Sequence, residues 1–468
     1  TIKIMKKNFI QDLSYLNFTI IATFTWLIIF GPNLSLEPYV WDDLHFFRKY
    51  TNEELLNTWS GNWDPDNIET QSYRPIAVLY YHITYVFFNE NTLLFRIFVF
   101  FEILFLIILT NQLYQLLNLS KNQIIIFTSL LIFSKIFITL VAWFTISVLI
   151  FVYILAILSI KFYLLSIDER NNFYLFLSLL FAGLSIFARE ELYVLPIILF
   201  LIYFFKYNLN KKNIFNCIKK TFLFFVLVFL HIFLRKKFIP EADHLQIIDN
   251  KIYFGESLIG FGGFIKAVKS SFLPMGYLSS SYSDDIQKIF SIFWIFLILI
   301  SILIIFKFLN LDKNKLKKIS ILFLLVFASA VPHLTIPRSF GIYLPSIFGL
   351  MLISLLINNL LFNINEFGKK INFFCKILSI LILITGISGG IYRSYMHTQS
   401  MNKFSKAIVD YDARMIYDYD SVSIPIERYN KKKDHLEDLN VYDYNWQKIY
   451  YEFLSPKINE YRYHPLSF

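Results

Sequence analysis

The sequence predicts an all-α polytopic membrane protein, and three observations predict it. Hydrophobic residues make up 56% of the chain and aromatic residues 19%, with a mean hydropathy of +0.53, above what a soluble domain carries. The excess is gathered in runs such as FEILFLIIL (101–109) and SIFWIFLILISILIIF (291–306), set inside stretches long enough to cross a bilayer core. The net charge of +10 comes from lysines clustered in short connections between those runs, which reads as a topology signal and not as a nucleic-acid surface. Cys217 and Cys375 both fall near basic segments, with neither a disulfide framework nor zinc-finger spacing. No internal repeat or low-complexity linker interrupts the pattern.

Apolar segments fall at residues 15–36, 73–88, 93–117, 123–141, 144–164, 173–188, 191–205, 221–238, 289–308, 319–336, 340–362 and 372–392. The N-terminal stretch TIKIMKKNFI is basic and leads into the first of them without a small-residue cleavage site, so no cleaved signal peptide is expected. The most basic connections are KYNLNKKNIFNCIKK (206–220), KFLNLDKNKLKK (307–318) and FGKKIN (367–372). The positive-inside rule puts these and the N-terminus in the cytoplasm. Counting back from residue 206 and forward from the N-terminus then leaves both ends of 73–88 outside. That segment has 16 residues and carries Arg74, Pro75 and His82, which suits a helix lying at the interface better than a span. About eleven spans remain. The expected organisation is a membrane domain over 1–392, with external loops 37–92 and 239–288, followed by an external C-terminal tail over 393–468 rich in Tyr and Asp.

Few ionisable residues fall where water meets lipid on the outer side. They are Asp42, Asp43 and His45 in the first loop and Arg74 at the start of the interfacial helix, then Arg189, Glu190 and Glu191 in a tight turn. His231 and Arg235 follow in the outer half of a span, and His333 and Arg338 at a later turn. Charge at membrane depth marks function by default, and carboxylates with arginines suit a site that activates a hydroxyl and holds a phosphate. Each has a plainer reading. An Asp pair in a loop is often only solvated, an Arg at a helix end snorkels to headgroups, and Glu190 and Glu191 pair with Arg189 or cap a helix. Lys135, inside a span, is expected to pair with Glu102.

Several stretches resemble one family. Trp41-Asp42-Asp43-Leu44-His45-Phe46-Phe47 resembles the first-loop motif of protein O-mannosyltransferases, an Asp-Glu pair followed by a hydrophobic residue, His and Phe. SYRPIAVLYYHI (72–83), LLIFSKIFITLVAWFTIS (130–147), LSIFAREELYVLP (184–196) and PRSFGIYLPSIFGLML (337–352) are similar, in order, to segments of the tetratricopeptide-bearing O-mannosyltransferase branch. Together they resemble the wider GT-C superfamily of membrane glycosyltransferases over about residues 40–350. The turn at 141–147 lacks the acid and the His-Pro pair of that superfamily, so a divalent metal stays an open alternative that the sequence does not support, and no cofactor is certain. The repeats are absent, so that branch's protein specificity does not carry over.

The resemblance implies a GT-C-like bundle and an inverting glycosyltransferase that moves a sugar from a polyprenyl-phosphate-linked donor to an acceptor hydroxyl. By it, Asp42 is the general base and Asp43 orients the acceptor, or the two exchange roles. Arg338, Arg189 and Arg74, in that order of preference, hold the donor phosphate as it gains charge. Glu190 positions Arg189 or a sugar hydroxyl, and His45 and Tyr343 support the site. The donor tail is expected along spans six to nine. Expected partners are the polyprenyl-phosphate donor, a glycan, glycolipid or protein acceptor, and the bilayer, with no nucleic acid. The expected location is the plasma (inner) membrane, with the active site and C-terminus external. The alternatives are a lipid-linked glycan ligase or polymerase, and a transporter or flippase. The loop 239–288 has no arginine, which weighs against the ligase. A transporter typically shows inverted repeats.

Overall fold

Leu-, Ile- and Phe-rich runs free of internal proline form helices throughout the computed structural model, which describes residues 2–34, 50–61, 72–88, 91–142, 145–207, 210–239, 245–248, 251–254, 257–258, 261–275, 285–308, 313–334, 342–362 and 369–417. The chain begins with α1 (Ile2–Phe30), α2 (Asn52–Ser60), α3 (Pro75–Phe88), α4 (Thr92–Leu116), α5 (Lys121–Ile132) and α6 (Lys135–Ala142). It continues through α7 (Val148–Asp168), α8 (Asn172–Ala188), α9 (Leu195–Lys206) and α10 (Lys211–Phe238). After a loop come α11 (Phe261–Ser271), α12 (Asp285–Phe308), α13 (Lys313–Ala330), α14 (Tyr343–Phe362) and α15 (Lys369–Tyr417). Prolines fall in first turns, at Pro75, Pro196 and Pro345, where no intrahelical N–H is lost. Asn91, Asn171 and Asn210 cap α4, α8 and α10 through their side chains, and Ser120 with Gln123 forms a capping box on α5.

Seven helices are long and apolar enough to cross a membrane, and shorter apolar helices accompany them at Leu16–Phe30, Pro75–Phe88, Lys121–Ile132 and Asn172–Ala188. The chain is a helical membrane protein, as its composition predicts. The only strands among the described residues form a small antiparallel ribbon in the loop after α10, in the order β1 (Leu245–Ile248), β2 (Lys251–Phe254), β3 (Ser257–Leu258). Burial separates the centre of the bundle from its rim. The span windows of α14 and α7 are 83% and 72% buried, against 28% for α10 and for α12. The rim helices turn Phe222, Phe229, Phe233, Ile292 and Leu303 outward, as lipid-facing helices do.

Polar contacts sort the helix termini into two ends. At one end Lys220 Nζ donates to Ser166 O (3.0 Å), Lys317 Nζ donates to Tyr207 O (2.7 Å), and Lys206 pairs with Asp168. This end gathers basic connections, which we call the lysine end. α3 stays at the opposite end. Its Tyr80 stacks on Phe151 in the first turn of α7, and its Phe88 meets Phe95 and Phe98 in the first two turns of α4. At 14 residues it reaches about 21 Å, short of a hydrocarbon core. It buries Ile76, Ala77, Tyr80 and Tyr81 and exposes Leu79, Ile83 and Phe87, the two faces of a helix lying across the bundle.

The break between α5 and α6 is filled from a distance. The Lys135 backbone N–H, left over at the new helix start, donates to Pro274 O at 2.8 Å. Glu102 accepts from the Tyr80 hydroxyl at 2.8 Å, so the carboxylate expected for Lys135 is engaged by α3 instead. The last helix runs unbroken past residue 392 to Tyr417.

Candidate functional site

The site is built where α8 stops. Arg189 leaves helical geometry at φ −157° and ψ 126° while its N–H still closes on Ser185 O at 3.0 Å. The chain then tightens into a 3₁₀ turn, Glu190–Val194, before α9. This corner sends consecutive charged side chains in different directions.

Glu190 reaches the start of α3. Its Oε2 accepts from Arg74 Nε at 2.6 Å and its Oε1 accepts from the Tyr73 N–H at 3.1 Å. The Arg74 side chain is 6% exposed and that of Glu190 14%, so this is a buried, hydrogen-bonded ion pair. Burial alone would raise the Glu190 carboxyl, but Arg74, with Arg235 and His231 beyond it, holds it at about 2. His231 of α10 joins the same knot. Its Nε2 lies 3.0 Å from Tyr73 O and its Nδ1 2.6 Å from the Tyr193 hydroxyl. A carbonyl only accepts, so Nε2 carries the proton toward Tyr73, and in the neutral ring Nδ1 accepts from Tyr193. The Tyr73 hydroxyl in turn donates to Trp59 O at 2.8 Å. The start of α3 is thus tied to α2, to the 190–194 turn and to α10.

Arg189 takes no part in these hydrogen bonds. It is 5% exposed, and its Nε has no hydrogen-bond partner among the described residues, nor does Glu191 Oε2. Burial pushes the guanidinium down; Glu191, Tyr81 and Glu190 push it back above its ordinary value, so it is held charged. It lies within electrostatic reach of Tyr153. Tyr153 stacks on Tyr343 with ring centroids 4.9 Å apart, and the Tyr343 hydroxyl lies 3.3 Å from Thr110 Oγ1. The guanidinium thus keeps one N–H unused among the described residues, with the Glu191 carboxylate within electrostatic reach.

Asp42, Asp43 and His45 lie outside the described residues, as does Arg338. The residues that flank them are described. Tyr50 is buried against Ala77, Val78, Tyr80, Tyr81 and Val148, at the end of the bundle that holds Arg74. The turn Val331–Leu334, with buried His333, packs against the 190–194 turn. Of the residues singled out from sequence, Arg74, Glu190 and His231 are brought into direct contact with the Tyr73 backbone or with each other. Arg189 lies within electrostatic reach of Glu191, Tyr81, Glu190 and Tyr153. Sequence reasoning missed Tyr73, Tyr153 and Tyr193. Tyr73 stands beside Arg74 and Tyr193 lies in the ARE turn segment, but their roles arise from backbone and ring geometry that no motif encodes. Among the described residues no three of His, Cys, Asp and Glu come together to hold a metal.

The described helices define a polytopic helical membrane protein. Its solved structural neighbours include the oligosaccharyltransferase of Archaeoglobus fulgidus. The apo form matches with a TM-score of 0.51 at 12% identity, over 92% of this chain and 60% of that one. The form tethered to an acceptor peptide matches with 0.50 at 13% identity, over 92% and 59%. A complex with an inhibitory peptide and a dolichol-phosphate matches with 0.48 at 12% identity, over 82% and 56%. The chain therefore spans about three fifths of the length of these neighbours, and the likeness is one of fold. No protein-family model and no curated protein matches the sequence.

Proposed function

We propose that this chain is a GT-C glycosyltransferase that moves a sugar from a polyprenyl-phosphate-linked donor to the hydroxyl of a glycan, glycolipid or protein acceptor, at the membrane face opposite the lysine end. The observation that carries the reading is Arg189, a buried cation with an unused N–H beside the Arg74–Glu190 pair, in a fold similar to that of an oligosaccharyltransferase. The resemblance of the Trp41–Phe47 stretch to the O-mannosyltransferase first-loop motif supplies the acid.

Asp42 takes the proton of the acceptor hydroxyl as its oxygen attacks the anomeric carbon. The bond from that carbon to the phosphate oxygen breaks, and the lipid phosphate leaves with the electron pair. Arg189 and Arg338 receive the charge that develops on it. Arg74 is committed to Glu190, so its role is to hold the interfacial helix and the adjoining loop in register. Asp43 orients the acceptor or exchanges roles with Asp42.

The test is transfer of radiolabelled sugar from a polyprenyl-phosphate donor by the purified protein, comparing wild type with Asp42→Asn and Asp43→Asn. Loss of a proton acceptor is expected to cost about a hundredfold or more in one of the two. Equal turnover in all three folded proteins would remove the base assignment. Uptake of substrate without transfer would favour a transporter.

A further inference from the structure

Three buried polar atoms gather beside the start of α14, and none has a hydrogen-bond partner among the described residues. They are Arg189 Nε, Glu191 Oε2 and the Tyr153 hydroxyl. Tyr153 is 1% exposed. Arg189 and Glu191 lie within electrostatic reach of Tyr153 and of each other, so the three share one locality. Tyr343, the first residue of α14, walls one side of it. Its ring stacks on Tyr153 while its own hydroxyl is turned to Thr110. The Tyr343 N–H approaches the Tyr153 hydroxyl without closing a hydrogen bond.

Each of these atoms is costly to bury unpaired, and native structures rarely keep such groups unless water or a ligand takes them. Their chemistry is mixed. Arg189 Nε only donates, a carboxylate oxygen of Glu191 accepts, and a tyrosine hydroxyl does both. A phosphate carries acceptors, so it answers Arg189 but leaves Glu191 facing like charge. A sugar ring carries hydroxyls that donate and accept together, and it answers Glu191 and Tyr153 at once. The neighbouring acid is not available for this. Glu190, expected from sequence to meet Arg189 or a sugar hydroxyl, has its oxygens engaged by Arg74 and by the Tyr73 N–H.

We propose that Glu191 and Tyr153 bind the hydroxyls of the donor's sugar and select a neutral one, the glycosyl phosphate lying against Arg189 beside them. The inference rests on the glycosyl-transfer reading and names the sugar-recognising residues within it. A hexuronate, whose ring carries a carboxylate of its own, is disfavoured by Glu191. The test reads binding, so its outcome is separate from turnover. The full chain in detergent micelles is offered bare polyprenyl phosphate and polyprenyl phosphates bearing glucose, mannose, N-acetylglucosamine, arabinose or glucuronate, and native mass spectrometry measures the lipid retained. At least one neutral sugar should raise retention about tenfold or more over the bare lipid, and glucuronate should not. Glu191→Ala and Tyr153→Phe should each erase most of that gain. Retention of the bare lipid should hold, or rise in Glu191→Ala, where the phosphate meets Arg189 with no acid beside it. Tyr153→Phe keeps the ring on Tyr343, so it separates sugar binding from the fold. No gain from any neutral sugar, or a gain indifferent to both substitutions, would leave the three atoms to bound water and overturn the proposal. Glucuronate retained as well as the neutral sugars would also overturn it. Sugar-dependent retention without transfer would keep the sugar site and remove the glycosyltransferase reading; transfer with retention indifferent to Glu191 and Tyr153 would do the reverse.

Discussion

Replacing Glu190 by Gln keeps the side-chain volume and removes one charge, which makes it a sharp perturbation of the site. In the wild type the carboxylate accepts from Arg74 Nε at 2.6 Å and from the Tyr73 N–H at 3.1 Å. The folded protein holds it at about 2 against an ordinary value of 4.5. At about 1.4 kcal/mol per pH unit, that difference is worth about 3 kcal/mol to the folded state at neutral pH. Breaking a buried ion pair costs about 3–5 kcal/mol by a separate route, through the desolvated cation left behind. The two figures agree, so Glu190→Gln should lose about 3 kcal/mol in equilibrium unfolding by denaturing detergent. The sign of the pH dependence follows. The folded value is depressed, so the contribution is complete above the ordinary value and drains away as pH falls from 4.5 toward about 2. Across that window the wild type should lose stability that Glu190→Gln never had. A double-mutant cycle with Arg74→Gln should return a coupling of at least about 1 kcal/mol. A variant within about 0.5 kcal/mol of wild type at neutral pH, or one equally acid-sensitive across the window, would refute the reasoning.

Two further outcomes follow from neighbouring geometry. Arg189→Gln should lower sugar transfer from a polyprenyl-phosphate donor by about a hundredfold or more, whereas Arg189→Lys, which keeps a cation beside Glu191, should keep the fold's stability and still lose activity through the missing planar fork; activity that follows stability in both variants would make Arg189 structural. Gly349→Ala should destabilise by about 1–3 kcal/mol, since the added methyl would meet the Ser271 carbonyl at 2.2 Å, and hydrogen exchange should rise first in α11; unchanged protection there would mean that the helix does not rely on this contact.

The helical membrane class was legible because it is a bulk property. Apolar runs and clustered lysines survive any error in a single residue, and their lengths are set by the bilayer. The expectation that Pro75–Phe88 lies at the interface follows from parity of the lysine pattern, and the helix makes its ring contacts with the first turns of α4 and α7. Partners were not legible. Lys135 was matched to Glu102 on the rule that buried charges seek opposites, yet Glu102 takes the Tyr80 hydroxyl. A tyrosine one turn into an interfacial helix carries no charge to betray it. The ARE turn was read correctly as charged and tight, but which way each side chain leaves depends on Arg189 adopting extended geometry between two helical segments, a detail set by packing.

That corner also explains why the acids and arginines divide as they do. Had α8 continued through residue 191, Arg189, Glu190 and Glu191 would splay at about 100° steps around one axis, and only one could face the start of α3. With Arg189 extended, Glu190 closes on Arg74. Glu190 answers Arg74 by a hydrogen-bonded pair, while Arg189 has Glu191 within electrostatic reach but no hydrogen bond at Nε among the described residues. On the proposed reading, a phosphate drawn to Arg189 would find the start of α3 already fixed in place by Glu190, His231 and Tyr193, with little left to reorganise. Electrostatic stabilisation of a leaving group is strongest under that condition, when the dipoles and charges stand in position before the bond begins to break.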